Sequence, residues 1–272
     1  DDGLKISFSV RPCVPYEQLE RNVASAKARG LPYTSEKARP ALAVIGGGPS
    51  LAFHVDELKA WEGDVWACGS AYRWCFDNGI DATFFNVDPL PEQAIYAKGA
   101  ERGILASTTD PSVFDEVKSI ELFDLIAAPG YVNHGVTAVT CTPCLALEMG
   151  YKKVMFFGCE SSFEKSTHSY KNEFVDPNVT NHLIWVKSGE EVFVSRPDFL
   201  MQAELLAPVI RMAPHVFEER SGGLLGAMVA SGDYDIVSAN AAMHSNLAIK
   251  VEGEVVDAAK AKEILPLLEI PA

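Results

Sequence analysis

The chain has 272 residues, 48% of them apolar, which is enough to bury a large core in one α/β domain or in a domain with a small appendage. Its 23 basic against 37 acidic residues give a formal net charge of −14, which argues against broad, non-specific binding of nucleic-acid phosphates. No apolar run reaches the roughly eighteen residues of a membrane span, and Asp1-Asp2-Gly3 has neither the basic nor the apolar region of a secretory leader. A soluble, cytoplasmic protein is therefore expected.

A short apolar stretch, Leu4 to Val10, opens the chain, followed by a helix-like segment, Tyr16 to Arg29; this lead-in closes at Arg39-Pro40. Strand-like and helix-like segments then alternate. Strand Ala41 to Ile45 precedes helix Ser50 to Trp61, strand Asp64 to Cys68 precedes helix Ser70 to Asn78, and strand Ala82 to Val87 precedes helix Glu92 to Arg102. Strand Ile104 to Ser107, helix Pro111 to Lys118, strand Leu122 to Ala127, helix Val136 to Met149 and strand Lys153 to Gly158 complete the series. Such alternation predicts an open, mainly parallel Rossmann-like α/β sheet with helices on both faces. Beyond it, 159–181 is polar and loop-like, His182 to Val186 and Glu191 to Ser195 suggest a hairpin, and Pro197 to Met212 has helical spacing. A strand near Asp235 to Ser238 and a last helix from Asp257 to Leu268 follow. The expected division is a lead-in at 1–40, a main domain at 41–220 with a lid at 159–196, and an appendage at 221–272 packed on the same domain.

Ligands of such sheets bind beyond the carboxyl ends of the strands. The turn Gly46-Gly47-Gly48-Pro49-Ser50 follows the first strand of the series, and a glycine corner opening a helix suits a phosphate; the alternative is a tight corner and nothing more. Other strand ends supply Ser70, Asn86 and Asp88, and further on Glu160 and Ser161, while Gly135 and Thr137 precede a helix. Asp88 could hold magnesium or cap the next turn. His168, in a polar loop, is a candidate acid/base group, with His134 as a second. Six cysteines sit largely in apolar segments and read as buried, reduced thiols, Cys141 and Cys144 included. Gln202 and Glu204, on the helix after Pro197, carry no functional signal alone.

The order Gly-Gly-Gly-Pro-Ser-Leu (46–51), Ala-Cys-Gly-Ser-Ala (67–71), Asn-Val-Asp-Pro (86–89), Gly-Val-Thr-Ala-Val (135–139), Phe-Gly-Cys-Glu-Ser-Ser-Phe (157–163) and Thr-His-Ser-Tyr (167–170) resembles the MptE-like family, also known as domain of unknown function 115. The resemblance spans about 41–212 and is strongest to short phage or prophage members. The family also holds archaeal 6-hydroxymethylpterin diphosphokinases and motility accessory factors, and the glycine turn is similar to that of family 42 sialyltransferases. This chain has Glu160 where the family's G-x-D-x-S segment commonly has aspartate.

The resemblance implies a nucleotide-phosphate cleft built from Gly46 to Ser50, Ser70, Asp88 and the 158–170 rim, in a family divided between diphosphoryl transfer from ATP with magnesium and transfer of sugars from activated nucleotides; the leading expectation is a transferase that moves a diphosphoryl group to a hydroxyl acceptor. In that reading Gly46, Gly47, Gly48 and Ser50 hold phosphate, Asp88 holds magnesium, and His168 moves the proton, with ATP as donor. Arg73, Lys165 and Arg196 are the nearby cations. Two alternatives stand beside it: a glycosyltransferase using a nucleotide sugar, and a phage protein that binds nucleotide without turnover. The expected partners are a nucleotide and a small hydroxyl acceptor, with no membrane and a homo-oligomer left open.

Overall fold

A computed structural model describes residues 6–10, 13–36, 39–125, 135, 137–163, 183–239, 247–251 and 254–256. In chain order its elements are β1 (Ile6–Val10), α1 (Tyr16–Ala28), β2 (Ala41–Ile45), α2 (Val55–Lys59), β3 (Asp64–Cys68), α3 (Ala71–Asp77), β4 (Thr83–Asn86), α4 (Ala94–Ala97), β5 (Ala100–Ala106), α5 (Pro111–Phe114) and β6 (Val117–Phe123). After these come α6 (Ala138–Glu148), β7 (Lys153–Phe157), β8 (Ile184–Ser188), β9 (Glu191–Ser195), α7 (Pro197–Met212), β10 (Phe217–Glu219), α8 (Gly223–Ser231), β11 (Asp235–Ala239), β12 (Leu247–Val251) and β13 (Glu254–Val256).

The central sheet has seven strands in the order β10-β7-β2-β3-β4-β5-β6, and every pairing in it is parallel. Strands this apolar can sit there because both faces are covered. Leu42, Val44, Trp66, Phe85, Phe123, Val154 and Phe156 face one core, shared with buried residues of α6, α7 and α8. Their alternates Ala43, Ile45, Val65, Ala67, Phe84, Met155 and Phe157 face the other, with Leu51, Leu58, Tyr72 and Trp74. Trp66 stacks on Phe85 at 5.2 Å and Phe85 on Phe123 at 5.5 Å, an aromatic row running across the sheet. From β2 the chain steps outward to β6, and α6 then carries it back to β7 on the other side of β2. The strand order thus reverses between β2 and β7, the switch point where such sheets bind ligands.

The Rossmann-like class and the strands β2, β3, β4 and β7 lie where the periodicity puts them, and α7 has the predicted bounds. Three helices differ. In place of Ser50 to Trp61 there is a 3-10 turn, Pro49–Phe53, and then the five-residue α2. Instead of Glu92 to Arg102 there is a 3-10 turn, Pro91–Gln93, and the four-residue α4, after which β5 begins at Ala100. The predicted helix Pro111 to Lys118 ends at Phe114, and the next strand starts at Val117, five residues before the predicted Leu122. Charges near the starts of β5 and β6 misled the reading, because they imitate a helix's wet face. They are exposed cross-strand and inter-loop pairs instead, Lys118 with Glu101 and Arg102 with Asp81.

The hairpin β8-β9 forms as predicted, and β11 adds to it antiparallel, giving a three-stranded sheet. β10, which the sequence reading left without an element, extends the central sheet beside β7, and α8 packs on α7. β1 pairs with β12, so the lead-in and the appendage share one small sheet. The helix expected from Asp257 to Leu268, and 164–182 of the expected lid, lie outside the described residues. Cys68, Cys75, Cys141 and Cys159 are buried free thiols; burial pushes Cys75 up to about 12 and the other three upward as well. Cys144 is partly buried and Cys13 exposed.

Candidate functional site

At the switch point two strands run out into glycine together. The Gly46 N–H donates to the Phe157 carbonyl at 2.8 Å, and the Gly48 N–H donates to the Gly158 carbonyl at 2.8 Å. These contacts account for the residue types. A Cβ on Gly46 would lie 2.3 Å from the Gly158 oxygen, and one on Gly48 would lie 1.6 Å from Oε2 of Glu160. Glu160 is buried, and its Oε1 accepts a short hydrogen bond from the Ser50 N–H. Three of the turn's amides are therefore engaged inside the chain, and an internal carboxylate occupies the place expected for a phosphate. The helix that would lend its positive end is five residues long, so its dipole is small. Gly47 is partly exposed, and the Ser50 hydroxyl oxygen is buried with no hydrogen-bond partner among the described residues.

Next to Glu160 the structure gathers a second, uncharged group. Ser161 Oγ accepts from Gln202 Nε2 at 3.1 Å, and Thr137 Oγ1 lies 3.5 Å from Gln202 Oε1. Thr137 caps α6 reciprocally with Thr140, and Gly135 packs against Thr140. Ser195 Oγ donates to the Ser161 carbonyl at 2.6 Å. At the start of α8, Leu225 N–H donates to the Glu160 carbonyl at 2.9 Å and Leu224 N–H to Ser162 Oγ at 3.1 Å. The carboxyl ends of β2 and β7 thus bring together Gly46–Ser50, Glu160, Ser161, Thr137 and Gln202. Gln202 was not a site candidate from sequence, where nothing distinguishes it from Glu204 in the run Leu200 to Leu206.

Asn86, Asp88 and Ser70 belong to a different part of the rim. Asn86 is buried, and its Nδ2 donates to the Asp88 carbonyl at 3.1 Å. Asp88 accepts from the Leu90 N–H at Oδ1 and from Gln93 Nε2 at Oδ2, both at 3.1 Å, which closes an Asx-type turn over Pro89, while Leu90 holds the cap position of the 3-10 turn that follows. Burial raises its pKa. Ser70 stands at the cap position of α3 without a side-chain capping bond. The described residues contain no group of three or more His, Cys, Asp and Glu side chains able to hold a metal ion.

Two of the three candidate cations, Arg73 and Arg196, are committed elsewhere. Arg73 donates to the Lys98 carbonyl and lies over the Phe76 ring, while Arg196 pairs with Asp198 and lies over Phe199. Lys165, His168 and His134 fall outside the described residues.

Glu219 is a second acid beside this region. Its Oε1 accepts from the Ser221 and Gly222 amides, yet burial, helped by the negative charge of Glu160, leaves its pKa raised. A raised carboxylate pKa means that ionisation costs folding free energy. The contribution is fully present below the unfolded value of about 4.3 and is lost as pH rises through the higher folded value. Glu219→Gln, which keeps an acceptor for the two amides, is expected to melt above the wild type at pH 7, with the difference shrinking toward pH 5. Melting curves across that range test it, and a difference independent of pH would overturn it.

No protein-family model and no curated protein matches the chain. Among solved structures it is similar to the MAf glycosyltransferase from Magnetospirillum magneticum AMB-1, at 20% identity and a TM-score of 0.57. The aligned region covers 76% of this chain and 37% of that one, so this chain spans little more than a third of its neighbour's length. The likeness shows a shared open, Rossmann-like α/β fold. It is a likeness to a motility accessory factor, one of the groups that the sequence resemblance brings in, while the MptE-like family is not shown by it.

Proposed function

We propose that the chain is a transferase that takes a glycosyl group from a nucleotide sugar of low phosphate charge and passes it to a hydroxyl acceptor. The donor lies in the crevice beyond β2 and β7. The observation that carries this reading is the Glu160 carboxylate inside the glycine turn. A phosphate brought close to that carboxylate meets a like charge, and a triphosphate multiplies the opposition. A nucleoside monophosphate sugar carries one phosphate charge and many hydroxyls. Neutral Ser161, Thr137 and Gln202 suit such hydroxyls, and the name of the structural neighbour supports the same class.

In this reaction the acceptor oxygen attacks the anomeric carbon, the bond from that carbon to the phosphate oxygen breaks, and the nucleotide leaves with the electron pair. The acceptor proton passes to a base, for which we propose His168, with His134 as the second candidate. Diphosphoryl transfer from ATP has less support, since the structural neighbour is a glycosyltransferase by name.

The test is thermal stabilisation of the purified chain by CMP, CMP-sialic acid, UDP, UDP-N-acetylglucosamine and ATP, each with and without magnesium. A nucleotide sugar is expected to raise the melting temperature without the metal, and ATP to leave it unchanged. Stabilisation by magnesium-ATP alone would return the reading to diphosphoryl transfer, and stabilisation by nucleotides with no sugar transfer to any acceptor would leave a binding protein.

A further inference from the structure

The glycine corner runs into the 3-10 turn Pro49–Phe53, in which the Leu51 N–H donates to the Gly48 carbonyl at 3.4 Å and the His54 N–H to the Leu51 carbonyl at 3.0 Å. Two apolar side chains of this turn have opposite fates. Leu51 is fully buried against Gly158, whereas Phe53 is 85% exposed, the most exposed of the large apolar side chains among the described residues.

A single wet aromatic is ordinary in itself, and its place is what sets this one apart. A 3-10 helix has three residues per turn, so Phe53 stands on the same face as Ser50, about 6 Å further along the axis. The Ser50 hydroxyl oxygen is buried with no hydrogen-bond partner among the described residues. One face of the turn therefore carries an unmatched polar atom and an open aromatic surface, both at the switch point. The backbone beneath the ring is held firmly. His54 meets Phe157 edge-on with centroids 5.1 Å apart, its Nδ1 lies 3.0 Å from Glu57 Oε2, and Glu57 Oε1 accepts from Arg220 at 2.8 Å. A ring on a fixed backbone offers stacking area at small entropic cost.

We infer that Phe53 is the platform on which the nucleobase of the donor stacks. The inference rests on the donor site proposed above and gives that site a source of affinity. Glu160 opposes phosphate charge, so an uncharged part of the nucleotide is the better handle, and a base stacked on an aromatic ring contributes without regard to charge. The ribose bridges the step from the glycine corner to the ring. Every base has a π-face, so the platform holds the base and leaves the choice among bases to other contacts.

The experiment titrates CMP, UDP and ribose 5-phosphate calorimetrically into the full chain and into Phe53→Ala and Phe53→Tyr. The wild type is expected to bind a nucleotide more tightly than ribose 5-phosphate, which has the sugar and a phosphate but no base. Phe53→Ala is expected to weaken the nucleotide about tenfold or more, to leave ribose 5-phosphate unchanged, and to melt with the wild type because the lost ring was exposed. Phe53→Tyr keeps a ring and is expected to stay within about threefold of the wild type. Full nucleotide affinity in Phe53→Ala, an equal loss for ribose 5-phosphate, or a loss in Phe53→Tyr as large as in Phe53→Ala overturns the stacking role while leaving the donor site standing. A wild-type chain that self-associates where Phe53→Ala does not, with nucleotide affinity unchanged, assigns the ring to a contact between copies and overturns it as well. Wild-type silence toward both nucleotides would sink the donor site and this inference with it.

Discussion

Gly46→Ala is expected to lose about 3 kcal/mol of folding stability, seen as a lower urea midpoint with an unchanged slope. The added Cβ would meet the Gly158 carbonyl oxygen at 2.3 Å and Cys159 Sγ at 2.8 Å. A flexible side chain could rotate away, but a backbone oxygen cannot. Relief requires β2 and β7 to part at their carboxyl ends, where Ile45 and Phe157 are fully buried and the Gly46 N–H holds the Phe157 carbonyl. Gly30→Ala is the control: its φ is +63° and nothing lies within 4 Å of the new Cβ, so it suffers only the backbone strain, about 1 kcal/mol. Equal losses at the two positions would show that the turn is looser than this geometry requires.

The same contacts explain what could be read from the sequence and what could not. An apolar run closed by three glycines announces a strand and a corner, and both are there. Their cause is not local: the residue that fills the corner is Glu160, 110 positions away, and no spacing rule connects it to Ser50. For the same reason Glu160 and Ser161 could be named as rim residues while the carboxylate's place and the serine's positive φ stayed hidden. Gln202 reads from sequence as no different from Glu204 on the same helix; only α7 lying against the end of β7 sets it apart. Asp88 shows the converse. Its two expected roles share a residue type, and the structure adds a third use for it, an Asx-type turn to Leu90 tied to Gln93. Element ends failed where tertiary contacts overrode local pattern, as at β5 and β6, whose charged residues pair with neighbouring charges instead of lining a helix. β10 is only three residues long, too short for any periodicity, and it exists because Phe217 to Glu219 find Val154 to Phe156 as a parallel partner.

Glu160→Gln is the substitution that isolates charge at the crevice. The amide oxygen can still accept from the Ser50 N–H, and the side chain keeps its volume within the glycine turn, so the variant should fold like the wild type. Glu160→Ala would confuse the issue, since it leaves a buried amide without its partner and a void beside Gly48. With the carboxylate charge gone, its opposition to phosphate disappears, so ATP affinity is expected to rise about tenfold. A nucleoside monophosphate sugar, with a single phosphate charge, should gain less. Calorimetric titration of both ligands into both proteins separates the outcomes. No gain for ATP would mean that phosphates do not approach the turn, which would remove the charge argument for a monophosphate sugar donor. A loss for both ligands would mean that Glu160 touches the ligand itself, turning the carboxylate from a gate against phosphate into part of the binding surface.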